Sequence, residues 1–121
     1  MPSFGERSLA CLETVDERIS KVLEEAIKHY DFAILEGHRG EEKQQEYFES
    51  GASEVQFPNS KHNSLPSMAV DIVPYPVDWE NTHKFNKLAD VITQACETVG
   101  VDNLYWGYDL WQWDMPHWEL R

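Results

Sequence analysis

The sequence predicts an α+β fold in a single domain over residues 1–121. Two stretches, 16–30 and 81–99, repeat apolar residues at intervals of three and four, the period of a helix with one buried face. Two short apolar runs, Phe32–Leu35 and Met68–Val73, have the length of buried strands and end at acids or prolines. The resulting order is helix, strand, helix, loop, strand, helix, strands, which is an α+β pattern. A chain of 121 residues buries a real core without covalent staples.

Each element has its own signal. Ser8–Leu12 reads as a short helical turn. Asp16 is placed to cap the next helix, whose apolar stripe is Ile19, Val22, Leu23, Ala26, Ile27 and Tyr30, with an end near His29 or Tyr30. Phe32–Leu35 follows as a strand, and Gly37-His38-Arg39-Gly40 as a polar turn at its exit. Gly40–Gly51 reads as a helix with acid in its first turn and Gly51 as its stop. Residues 52–67 have no helical period and carry Pro58 and Pro66, so they read as a long loop, a feature that in a small domain usually serves function. Met68–Val73 is the next strand, ended by Pro74 and Pro76. Asn81–Val99 is the second strong helix, with Phe85, Leu88, Ala89, Ile92, Ala95, Cys96 and Val99 on its buried face and Gly100 as its stop. Asn103–Tyr108 reads as aromatic strand or turn material that Leu110–Trp113 continues, and His117–Leu120 as a last short strand after Pro116.

Composition narrows the function classes. A hydrophobic fraction of 41%, with five Trp, five Tyr and five Phe, excludes a disordered chain. A net charge of −12 argues against nucleic acid or an anionic membrane surface as partner, because phosphate binding needs a basic face. It leaves room for an acidic interaction module. No apolar run approaches the roughly 20 residues of a membrane span, so no membrane insertion is expected. The first residues, Met1–Arg7, lack the basic-then-apolar pattern of a signal peptide, which predicts synthesis and folding in the cytoplasm. Cys11 and Cys96 fit no metal or redox spacing and read as reduced, mostly buried thiols.

The chemistry points to Asp71, a carboxylate inside the apolar run Met68–Val73. Burying such a group is costly unless it is paired, hydrogen-bonded or bound to a metal. His62 lies a short loop upstream, and His117 arrives near the end of the chain. Catalytic zinc usually takes three protein ligands and one water, and two imidazoles with one carboxylate suit that borderline metal. Asp114, three residues before His117, is a candidate general base. Glu119 is its rival, since it shares a strand face with His117. Simpler readings stand beside these. A salt bridge to Arg39 would satisfy Asp71, His62 fits a surface or core histidine, and His117 fits an aromatic cluster. Asp114 fits a solvated turn, and the five tryptophans fit core or pocket wall. His29, His38 and His83 have no carboxylate partner at a telling spacing.

The combination Ser60-x-His62, Ala69-x-Asp71 and Asp114-x-x-His117-Trp118 resembles the zinc D-Ala-D-Ala carboxypeptidase and L-alanyl-D-glutamate endopeptidase family, in particular its bacteriophage endolysin branch. Ser8-Leu9 through the first long helix, Gly37-His38-Arg39 with Gln44, and Ala69–Pro76 before Asp78-Trp79 extend the likeness over most of the chain. The resemblance implies a compact fold of the hedgehog/DD-peptidase type, with helices packed on a small antiparallel sheet. It implies Zn2+ held by His62, Asp71 and His117, with Asp114 rather than Glu119 as general base. Arg39 would steady the substrate carbonyl, Ser60 would lie near the substrate, and Gln44 would support the arginine's loop in the substrate-binding region. One departure stands out: eight residues separate His62 from Asp71, where the family usually has six.

Three functions follow as expectations. The first is an endolysin that cleaves the L-Ala–D-Glu bond of the peptidoglycan stem peptide. It would act as a monomer, waiting in the host cytoplasm until a holin opens the way to the wall. The second is a D,D-carboxypeptidase that releases terminal D-Ala by the same chemistry. The third is a non-catalytic, acidic zinc-binding module.

Overall fold

The computed structural model describes residues 2–121 and has the expected α+β architecture. Helix α1 (Glu6–Leu12) is tied to the sheet by buried Ser8, whose Oγ accepts the Ile34 amide at 3.0 Å. Helix α2 (Glu17–Ala26) starts at Asp16, which accepts the Arg18 amide and pairs with the Arg18 side chain at 2.9 Å. The helix ends earlier than its apolar stripe suggests. Lys28 and His29 bond back to Glu25 and Ala26, three residues earlier, so the last turn tightens out of α geometry while Ile27 stays buried.

Four strands form one antiparallel sheet: β1 (Phe32–Glu36), β2 (Ala69–Pro74), β3 (Leu104–Trp106) and β4 (His117–Leu120), in the order β1-β2-β4-β3. Strand β2 runs through Pro74 rather than stopping before it, with Phe32 opposite that proline. The two-residue alternation divides the sheet's chemistry. Val70, Ile72, Trp118 and Leu120 face the core with Phe32 and Ile34. Asp71 and its cross-strand partner His117 face the other side, as does Glu119 opposite Ala69. The core side is covered by α2 and by α4 (Thr82–Val99), which packs Phe85, Leu88, Ala89, Ile92 and Ala95 inward. Asn81 caps α4 by accepting the Lys84 amide, and Gly100 closes it at φ 77°. Trp106 stacks on Trp118 at 5.8 Å and closes the core beside β3.

The other face carries the loops. Helix α3 (Glu41–Ser50) is tied to β1 by the Lys43–Glu36 ion pair at 2.7 Å and turns at Gly51, φ 85°. The predicted long loop contains a 3-10 turn, η1 (Lys61–Asn63), held by a capping box between Ser60 and Asn63. Residues 107–111, expected to continue the aromatic strand material, form helix α5 (Gly107–Trp111). Five residues are too few to show a helical period, and aromatic residues favour strands in isolation. Cys11 and Cys96 are free thiols, half-buried against the core, and burial pushes Cys96 up to about 11.

Candidate active site

Asp71 sits in the middle of the sheet with His117 directly across the β2–β4 ladder. His62 reaches them from η1. Their converging atoms are His62 Nε2, Asp71 Oδ1 and His117 Nδ1, separated by 3.3, 3.1 and 3.3 Å. The tautomers follow from the outer contacts. His62 Nδ1–H donates to the Gly37 carbonyl at 2.8 Å, which leaves Nε2 with a lone pair. His117 Nε2–H donates to Glu119 Oε1 at 2.9 Å, which turns Nδ1 inward. Three acceptor atoms therefore face one point, a donor set that could hold a metal ion. Tetrahedral zinc with ligand distances of about 2.0–2.1 Å sets its ligands roughly 3.3 Å apart, so the donor set fits the metal in chemistry and in spacing. Glu119 is in turn paired with Arg121 at 2.9 Å. Such outer partners fix imidazole orientation and raise ligand basicity.

The electrostatics agree with a cation at that point. Burial alone would raise the Asp71 carboxyl, yet hydrogen bonds with His117 and His62 hold it well below the usual carboxylate range. Burial would depress His117, but hydrogen bonds to Asp71 and Glu119 lift it to about 9. A proton on His117 Nδ1 would occupy the place a metal would take.

The cluster forms part of the wall of a cavity of about 470 Å³, also lined by Arg39, Ser60, Lys61, Trp111, Trp113 and Asp114. Asp114 lies in the turn before β4. Its carboxyl is raised, first by burial and further by the charge of Asp71, against the opposing pull of His117, His62 and Arg39. That turn is held close to α5 because Gly107 has no side chain. A Cβ there would lie 2.5 Å from the Asp114 carbonyl oxygen and 3.0 Å from the His117 Cβ.

Arg39 is 8% exposed and firmly seated. Its Nε donates to Glu36 at 2.7 Å, Nη1 donates to Gln44 at 2.9 Å, and its guanidinium lies 4.6 Å above the Tyr47 ring. Nη2 also pairs with Glu36 and stands 3.7 Å from Asp71 Oδ2, so the alternative pairing of Asp71 with Arg39 exists as a longer, secondary contact. The shift in register between Ile34 and Glu36 puts Glu36 opposite Asp71 and aims the buried glutamate at this arginine. Gln44, grouped from the sequence with the substrate contacts, is fully buried and absent from the cavity wall. It accepts from Arg39 and Asn63 and donates to Ser53 and the Val55 carbonyl, which ties the arginine to the long loop. Ser60 is on the wall, and its Oγ accepts the His62 amide at 3.2 Å.

The long His62–Asp71 spacing is absorbed locally. Ser64, Leu65 and Pro66 bulge into solvent, while buried Ser67 returns the chain by donating from Oγ to the Ala69 carbonyl at 2.6 Å. Glu36 and the orienting roles of the Gly37 carbonyl and of Glu119 were not legible from the sequence. Their only signal was position: Glu36 three residues before Arg39, and Glu119 two residues after His117.

Comparison with known proteins supplies a family and a fold likeness. The family model described as phage L-alanyl-D-glutamate peptidase matches residues 2–119. Among solved structures, the L-Ala D-Glu endopeptidase ChiX of Serratia marcescens is similar, with a TM-score of 0.83 and 27% sequence identity over 99% of this chain and 91% of that one. A search of curated proteins finds no match. With nearly its whole length matched by the family model, the chain belongs to the phage L-alanyl-D-glutamate peptidase family.

Proposed function

We propose that this protein hydrolyses the L-Ala–D-Glu bond of the peptidoglycan stem peptide at a zinc centre held by His62, Asp71 and His117. The observation that carries the reading is the convergence of His62 Nε2, Asp71 Oδ1 and His117 Nδ1 within 3.1–3.3 Å of one another on a cavity wall shared with Asp114 and Arg39. Zinc bound there supplies Lewis acidity, lowering the pKa of water and polarising the amide carbonyl. Asp114 is the general base. It takes a proton from the attacking water as the new C–O bond forms and delivers it to the departing D-Glu amine as the C–N bond breaks. Burial raises its basicity, which favours that exchange. Arg39, held by Glu36, Gln44 and Tyr47 on the cavity wall, meets the substrate carbonyl with guanidinium N–H that those partners leave free. Ser60 contacts substrate at the wall, and Gln44 positions Arg39.

The family's phage character supports a role in host lysis; in this reading a monomer waits in the cytoplasm until a holin opens the membrane to the wall. No described helix is long and apolar enough to cross a membrane. The test is digestion of purified sacculi with and without chelator, followed by mass spectrometry. New amino-terminal D-Glu is expected, and chelator should abolish it. Released D-Ala with intact L-Ala–D-Glu bonds would instead mean a D,D-carboxypeptidase. Metal binding without cleavage of any wall type would leave an acidic binding module and overturn the proposal.

A further inference from the structure

We propose that Trp113, with Trp111 beside it, is a sugar platform that holds the muramyl residue of the glycan strand next to the scissile bond; the proposal builds on the peptidase reading above. Three observations converge on it. Trp113 is 61% exposed and Trp111 42%, among the large apolar side chains that the fold leaves in solvent. Both line the same cavity as His62, Asp71 and His117, and the Trp111 ring lies 5.5 Å from that of His117. Exposed aromatic surface on the wall of a site marks binding rather than packing.

The backbone between them is the third observation. Gln112, at φ 69°, is the one non-glycine residue in the left-handed region among the described residues. It ends α5, a position where glycine is the low-cost choice. Strain of this kind persists where the surroundings hold it and clusters at ligand sites. Here the reversal sets two indoles on one cavity wall. The Trp113 indole N–H has no hydrogen-bond partner among the described residues, so both its apolar face and its polar edge are available.

The substrate supplies a matching group. In peptidoglycan, the amino group of the stem L-alanine is acylated by the lactyl ether of a muramyl sugar. The sugar therefore begins within about two residue lengths of the scissile bond, or roughly 7 Å. A pyranose ring presents apolar C–H faces with polar rims, the shape an indole covers well. A free peptide has no such group at that distance.

The experiment compares two substrates with the same stem peptide, one carrying N-acetylmuramic acid and one capped by a plain acetyl group. The wild-type protein should cleave the muramyl substrate with the higher kcat/KM. In Trp113→Ala the ratio of the two efficiencies should fall about tenfold, the scale of losing one covered sugar face. Trp113→Tyr should recover much of that ratio. Equal efficiencies in the wild type, or an unchanged ratio in Trp113→Ala, would overturn the platform. If neither substrate is cleaved, the peptidase reading fails, and the platform is judged by binding alone. N-acetylmuramyl-L-Ala should then shift the Trp113 indole N–H resonance while acetyl-L-Ala does not, and the absence of that difference would overturn it.

Discussion

At the scale of single residues, the proposed site separates groups that would hold a cation from one that would work beside it. Asp114 is the latter. It shares the cavity wall with the cluster while the three convergent atoms belong to His62, Asp71 and His117. Asp114→Asn should therefore lower kcat by about 10²–10⁴-fold, the usual worth of a positioned base, and leave zinc stoichiometry intact by elemental analysis. Glu119 has the opposite profile. It bonds the outer nitrogen of His117, so Glu119→Ala should weaken zinc about 10–100-fold in a competition titration with a chromophoric chelator, and Glu119→Gln should recover part of the loss. The same contacts set the pH behaviour of the metal-free protein. His117 is raised to about 9 from 6.5, so its stabilising contribution is complete below pH 6.5 and lost as pH rises through about 9. Asp71 and Glu119 are lowered, so their contributions are present above their ordinary values and lost as pH falls below them. Thermal melts in chelator should then be highest between about pH 4.5 and 6.5, with a falling limb toward pH 9. Zinc binding must expel the His117 proton, so apparent affinity should rise about tenfold per pH unit up to about pH 9. A flat affinity profile would contradict the role of His117 Nδ1.

At the scale of elements, the site depends on close approaches as much as on ligands. The turn carrying Asp114 meets α5 at Gly107, where a Cβ would strike backbone 2.5 Å away. Gly107→Ala should cost about 1–3 kcal/mol in denaturant unfolding and should depress activity more than stability explains, because both Asp114 and His117 must shift. Equal activity per folded molecule would refute that coupling. The elements also divide by how well sequence reveals them. Helices α2 and α4 and strands β1 and β2 are legible because burial imposes a period on Ile19–Ala26, Phe85–Ala95, Phe32–Ile34 and Val70–Ile72. His62, Asp71 and His117 are legible because an acid between Val70 and Ile72 demands a partner. Helix α5 is not, since its shape comes from tertiary contacts such as Trp106 Nε1 donating to the Met115 carbonyl at 2.6 Å. The Glu36–Arg39–Gln44 network is equally hidden. It depends on a register shift in β1, which leaves no mark in composition or spacing.

At the scale of the whole molecule, one sheet does two jobs because its faces alternate. Core residues on one side lock β2 and β4 in register, and that register places Asp71 against His117 on the other. The chain carries −12, and although the cavity wall holds the carboxylates of Glu54, Asp71, Asp114 and Glu119, it also includes the cations Arg39, Lys61 and Arg121. Of these, Arg39 and Arg121 are paired with glutamates, whereas Lys61 has no carboxylate within ion-pair distance among the described residues. A stem peptide bears free carboxylates, so the protein as a whole repels its substrate at long range, and Lys61 on the cavity wall offers a cation to it at contact range. Salt screens the two interactions unequally. The Debye length falls from about 30 Å at 0.01 M to about 8 Å at 0.15 M, a distance that removes repulsion across the surface but not contacts within the site. Initial rates on sacculi at subsaturating substrate should therefore rise over that range. The same salt series on a short, neutral-capped stem peptide should show a weaker rise, because fewer charges meet the surface. A rate on sacculi that falls steadily with salt would mean that attraction at the cavity, through Lys61 and its neighbours, outweighs the net charge even at long range.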